Sequence, residues 1–184
     1  MGKKQNPFNT HSIEQAAEDY IREIDFRMQQ RGITSAEAIA EIQAEEQMKE
    51  EAAIYVRLVF QLPLTVFVVY KKRKGVLDFI SQALQGASFE LVSLSEMSDM
   101  KALWKRLLSA DPQKVWVINE VEQVVDVALQ SVIHAMLQRE KYAPVGFPAI
   151  DFGIIRLVLL GEAGCMPVCF EDISSFENAI EVTL

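Results

Sequence analysis

The residues able to do chemistry in this chain are few, and most stand where an apolar run stops. Lys71-Lys72-Arg73-Lys74-Gly75 follows the run from Leu64 to Tyr70, Asn119-Glu120 follows Val115-Trp116-Val117-Ile118, and Glu162 follows the run from Ile154 to Gly161. Consecutive cations can attract an anion, and a carboxylate such as Glu120 can act as a base or orient a water. Asn119 is neutral and a poor partner for magnesium, which prefers carboxylate oxygens. Cys165 and Cys169 have the spacing of a metal pair, but tetrahedral zinc needs more ligands, and neither His11 nor His134 is spaced to complete the set. Two free, partly buried thiols are the expectation, with no metal site. His134 sits amid apolar helical spacing and is read as a packed or surface residue. Ser93 and Ser95 lie at the end of a strand, yet a single histidine nearby in sequence gives no order of catalytic roles, so no catalytic residue is assigned.

The elements that must position these residues follow from patterning. Half of the 184 residues are hydrophobic, enough to bury a core without disulfides. The net charge of −8 disfavours a general nucleic-acid surface, which needs clustered positive charge. No apolar stretch is long enough to span a membrane, and the N-terminus lacks a secretory apolar region, so a cytoplasmic protein is expected. Residues 1–11 read as a flexible lead-in. A helical hairpin is expected over 12–60, with Ser12 as N-cap, Gly32 ending the first helix, and Thr34 or Ser35 capping the second. Ile13, Ile21, Ile24 and Met28 share one face of the first helix, a candidate partner surface.

From 61 to 184 the pattern becomes an α/β core. "LTVFVVY", "SFELVSLSE", "KVWVIN", "IIRLVLLG" and "AIEVTL" read as strands, separated by the helical patterns "VLDFISQALQG", "SDMKALWKRLLSA" (Ser98 as N-cap) and "VVDVALQSVIHAMLQRE". Alternation of this kind implies βαβ crossovers and a three-layer, mostly parallel sheet of about five strands flanked by helices. Ligands in such sheets sit beyond the carboxyl ends of the strands, which singles out the loops named above.

In this order the core from Pro63 to Leu184 resembles an AAA+ or related P-loop NTPase, clamp-loader or MoxR-like. There a strand like "VWVINEVEQ" ends in Asp-Glu, a helix like "ALQSVIHAML" follows, and the next strand ends in a polar sensor residue. The resemblance implies a strand order of 5-1-4-3-2, where the flavodoxin-like 2-1-3-4-5 would contradict it. A P-loop needs glycines whose backbone N–H groups wrap the phosphates, then Lys and Ser/Thr. "VVYKKRKGVLDF" has one glycine, Gly75, followed by Val76, while Asn119 stands for the magnesium-holding Asp and Glu162 would repel a γ-phosphate. Lys72, Arg73, Lys74, Gly75, Asn119, Glu120 and Glu162 are thus the candidates for a degenerate nucleotide site.

Three functions remain open on the sequence. The first is a non-catalytic interaction or regulatory subunit with no cofactor, whose partner is another protein, an active ATPase or a second copy of the chain. The second is a nucleotide-binding switch or weak NTPase with an atypical phosphate site built from "KKRKG" and Glu120. The third is a nucleic-acid-associated regulator, from the faint helix-turn-helix look of "MQQRGITSAEAIAEI", although the carboxylates of "QAEEQMKEEAA" would face phosphates.

Overall fold

Each apolar run forms a strand because alternate side chains serve opposite faces of one sheet. A computed structural model of the chain describes residues 10–71, 73–97, 99–109, 111, 113–165 and 179–184. Its strands are β1 (Thr65–Tyr70), β2 (Phe89–Ser93), β3 (Val115–Asn119), β4 (Lys141–Tyr142), β5 (Ile150–Asp151), β6 (Arg156–Glu162) and β7 (Ala179–Thr183). The helices are α1 (Thr10–Arg31), α2 (Ser35–Gln61), α3 (Val76–Ala83), α4 (Met100–Leu108) and α5 (Val127–Gln138). The main sheet has the order β2-β3-β6-β1-β7, with every pairing parallel. Numbered within that sheet alone, this is 5-1-4-3-2, the order that the sequence resemblance implies. β4 and β5 pair antiparallel in a separate ribbon. The sequence presents that segment only as a turn, since strands of two residues carry no alternation to read.

The chain divides into two compact units, Met1–Gln47 and Met48–Leu184. In the larger unit, Val66, Val68, Val117, Val158 and Leu160 pack with Ala52, Val56 and Val59 of α2 and with Val76 and Ile80 of α3. On the opposite face Phe67, Trp116, Ile118, Leu157 and Leu159 pack with Leu103 and Trp104 of α4 and Ile133 and Met136 of α5. Helices therefore cover both faces, which is why the strands read as continuous apolar runs. At about 1.5–3 kcal/mol for each large apolar side chain buried, these two layers supply the main driving force.

Polar side chains fix the ends. Arg139 closes α5 in a left-handed conformation (φ 58°). Its guanidinium donates to Thr65 Oγ1 at 3.2 Å and to the Gly153 carbonyl, and the Thr65 hydroxyl donates to the Met136 carbonyl at 3.1 Å. Burial lowers the Arg139 pKa from its usual value, with Asp151 opposing. On the open edge of the sheet Arg106 donates to Glu90 Oε1 (3.0 Å) and to the Leu91 carbonyl (3.1 Å), which occupies an acceptor that another strand would need.

In the smaller unit, Arg27 donates to Glu23 (2.7 Å) and Glu45 (2.8 Å), and Arg31 to Glu41 (2.8 Å). The hydrogen bonds that Arg27 donates to Glu45 and then to Glu23 hold its pKa above its usual value. Gly32 ends α1 with φ 67°, and its N–H reaches the Met28 carbonyl. Thr34 and Glu37 form a reciprocal capping box ahead of α2. Ile13 and Ile21 are 61% and 57% exposed, while Ile24 and Met28 are half-buried.

Three expected boundaries move. α1 begins at Thr10, so Ser12 lies inside the helix and does not cap it. Asp99 caps α4, its Oδ1 accepting from the Ala102 N–H at 2.8 Å, and Ser98 lies outside the described residues. A 3-10 turn over Val121–Gln123 precedes α5, which starts only after Asp126 accepts from the Leu129 N–H at 2.9 Å. Both carboxylates sit at positive helix ends, where a short acid satisfies an orphan N–H. Asp126→Ala is expected to cost about 1 kcal/mol of stability, read as a lower urea midpoint with an unchanged slope.

Candidate functional site

The carboxyl ends of β1, β3 and β6 meet, and the site grows from the way each one stops. β1 stays laddered to both neighbours to its last residue: the Tyr70 carbonyl accepts from the Ala163 N–H (2.8 Å), and the Lys71 N–H reaches the Leu184 carbonyl (3.1 Å). The chain then turns and enters α3 through Gly75 at φ 88°, a left-handed position that favours glycine. An added Cβ there would meet nothing within 4 Å, so backbone conformation rather than space sets the residue. The tight turn exposes Lys71, Arg73 and Lys74, and Lys72 lies outside the described residues.

β3 stops differently. Asn119 and Glu120 are only 4% and 3% exposed, and Glu120 adopts φ 67°, ψ 42°. A left-handed non-glycine residue with a buried charge stores strain, which its contacts must offset. Arg73 folds back to form an ion pair with Glu120 Oε1. Glu120 Oε2 accepts from the Ser95 N–H at 3.3 Å and from the Ser95 hydroxyl. Glu120 stands just before the 3-10 turn Val121–Gln123 without capping it through its side chain; it is the carboxylate that ties the ends of β2 and β3 to the β1 turn.

Two residues on, Glu122 repeats the theme. Its Oε1 accepts from the Tyr70 hydroxyl at 3.3 Å, and its Oε2 from the Glu162 N–H at 3.2 Å. Glu162 itself is half-buried at the end of β6 and meets this group through its backbone. Tyr70 is buried, and its pKa is pushed up to about 12, first by burial and then by the Glu122 charge. Tyr70, Ser95 and Glu122 are participants that sequence reasoning misses. Glu122 carries the one available signal, a second acid at spacing two in "NEVEQ".

Between the β1 turn and the end of β3 lies a cleft of about 170 Å³, lined by Tyr70, Arg73, Gly75, Leu77, Asp78 and Asn119 among others. The structure thus brings Arg73, Gly75, Asn119 and Glu120 together, with Glu162 one hydrogen-bond step away through Glu122. Lys74 is exposed on the rim. His134 is exposed on α5 and lines a separate shallow groove with Val127, Glu140 and Tyr142. Cys165 is a free and exposed thiol rather than a partly buried one, and Cys169 lies outside the described residues. Among the described residues no cluster of metal-ligating side chains forms, and no helix is long and apolar enough to cross a membrane.

No family model and no curated protein matches the chain. Among solved structures, the Thermotoga maritima RuvB Holliday junction branch migration motor aligns at 16% identity with a TM-score of 0.49, over 76% of this chain and 44% of that one. A point mutant of that motor reaches a TM-score of 0.51 at 14% identity, over 76% and 45%. Brucella abortus NtrX in complex with ATP aligns at 9% identity with a TM-score of 0.46, over 98% of this chain and 46% of its own. The chain spans less than half the length of each. The likeness at 0.51, with the strand order above, gives the core an AAA+/P-loop-like fold.

Two tests probe the site. Arg73→Ala leaves Glu120 buried without its cation and is expected to cost about 1–3 kcal/mol in denaturant titration, at the lower end because Arg73 is 61% exposed. Lys74→Ala, on the rim, is expected to cost far less. In the fold the raised Tyr70 pKa favours the neutral phenol, so its contribution to stability is whole below pH about 10 and is lost as pH rises towards about 12. An ultraviolet phenolate titration should show a late-ionising tyrosine that vanishes in Tyr70→Phe.

Proposed function

We propose that this protein is a non-catalytic interaction or regulatory subunit, built on an AAA+/P-loop-like core whose nucleotide site is degenerate. The observation that carries the reading is the ion pair between the buried Glu120 carboxylate and the exposed Arg73. The carboxylate in the place of a water-orienting base has its oxygens engaged by Arg73 and Ser95 and is closed off from solvent.

A magnesium nucleotide does not fit these residues. In the pattern G-x-x-x-x-G-K-[ST], Tyr70 stands at the first glycine and Val76-Leu77 at the Lys-Ser/Thr pair. The Tyr70 side chain is buried and donates to Glu122, and Val76 and Leu77 offer neither an ammonium nor a hydroxyl. Asn119 supplies no carboxylate for magnesium. The cleft of about 170 Å³ also falls short of the roughly 300–1,000 Å³ of ordinary small-molecule sites. These points argue against the switch and weak-NTPase reading. The charge of −8 argues against the nucleic-acid reading.

In this reading the working parts are surfaces, and the partner is another protein, an active ATPase or a second copy of the chain. The exposed Ile13 and Ile21 and the basic turn beside the cleft are the surfaces to test. Purified protein with magnesium and ATP is expected to release phosphate no faster than buffer. Turnover that disappears in Glu120→Gln would overturn the reading in favour of an NTPase.

A further inference from the structure

The cleft beside Arg73 holds more hydrogen-bond donors than the chain uses. The first turn of α3 has no side-chain cap, and among the described residues the N–H groups of Leu77 and Asp78 meet no acceptor. Asn119, 96% buried by its 4% exposure, lines the same cleft, and its side-chain amide has no hydrogen-bond partner among the described residues. The amide opens onto the cleft, where an incoming acceptor can replace water as its partner. Arg73 adds guanidinium N–H groups beyond the one facing Glu120, and Lys71 and Lys74 stand exposed on the same turn. Asp78 is the opposing charge on the lining, and Glu120 is already neutralised by Arg73.

Donors lining one cleft favour an acceptor-only group, and the positive end of a helix favours that group being an anion. The size of the cleft narrows the choice further. About 170 Å³ suits one side chain and is too small for a nucleotide by the range given above.

We propose that this cleft receives the carboxylate side chain of an acidic segment on a partner protein, held by the Leu77 and Asp78 N–H groups, the Asn119 amide and Arg73. The inference rests on the non-catalytic reading and adds the chemistry of the partner to it. The place that a phosphate would need becomes a socket for an Asp or Glu. The basic turn, set on a chain of net charge −8, gives the acidic segment a local landing point.

The test is an NMR titration of the full chain at moderate salt with a hexaglutamate peptide, with hexaglutamine, with inorganic phosphate, and with magnesium ATP. Hexaglutamate is expected to shift the Leu77 and Asp78 amides and the Asn119 side-chain amide, and hexaglutamine to leave them in place. Asn119→Asp, nearly isosteric but of like charge, should abolish the shifts. Lys74→Glu, on the exposed rim where folding is not at issue, should weaken binding by about tenfold. Silence towards hexaglutamate at millimolar concentration would overturn the proposal. So would the same shifts caused by phosphate or ATP and not displaced by the peptide. ATP turnover would defeat the underlying reading, whereas silence towards both peptide and ATP defeats the socket alone.

Discussion

A carboxylate buried at the end of a strand must be compensated, and the arrangement of this core follows from how Glu120 meets that demand. Its left-handed backbone turns the chain out of β3 at once, and its oxygens then collect Arg73 from the β1 turn and Ser95 from the segment after β2. Each partner comes from a different loop, so one charge fixes the relative position of three strand ends. Charge-assisted hydrogen bonds are the strong kind, and removing the cation would strand an ion in a low-dielectric place. Glu122 does the same for β1 and β6 through Tyr70 and the Glu162 N–H. The upper rim of the sheet is thus held by two acids two residues apart.

The sheet was legible because its signal is long and redundant. β1, β3 and β6 are buried on both faces and read as unbroken apolar runs, and the helices between them force parallel pairing. Even the strand order followed once the resemblance was granted. What could not be read was short or local. β4 and β5 have two residues each, and their pairing depends on sequence-distant register rather than on pattern. The capping acid Asp99 stands beside Ser98, which reads equally well as a cap, and Asp126 lies inside a pattern that reads as helical from Val124 onward, so only the path of the chain decides where each helix starts.

The candidate site was half legible for a related reason. Asn119 and Glu120 announce themselves by interrupting an apolar run, and Arg73 by standing in a basic one. Nothing in the sequence says that these charges meet, since 47 positions separate them and only the crossover brings them together. Ser95 and Tyr70 were harder still. A serine after a strand and a tyrosine closing a run are commonplace, and their roles exist only through the acids they touch. Buried polar residues are informative as pairs, and sequence displays them singly.

The Arg139 clamp has a mechanical side. β1 lies inside the sheet between β6 and the edge strand β7, and its first residue, Thr65, is tied to the end of α5 and to Gly153 through that guanidinium. Its last residue, Tyr70, is tied to Glu122, and the turn just beyond is tied to Glu120. Sliding β1 by a single register step would break both sets of ties and would also exchange its two apolar faces. A strand anchored at each end in this way has no stroke: it can bear load between its neighbours, but it cannot travel and return.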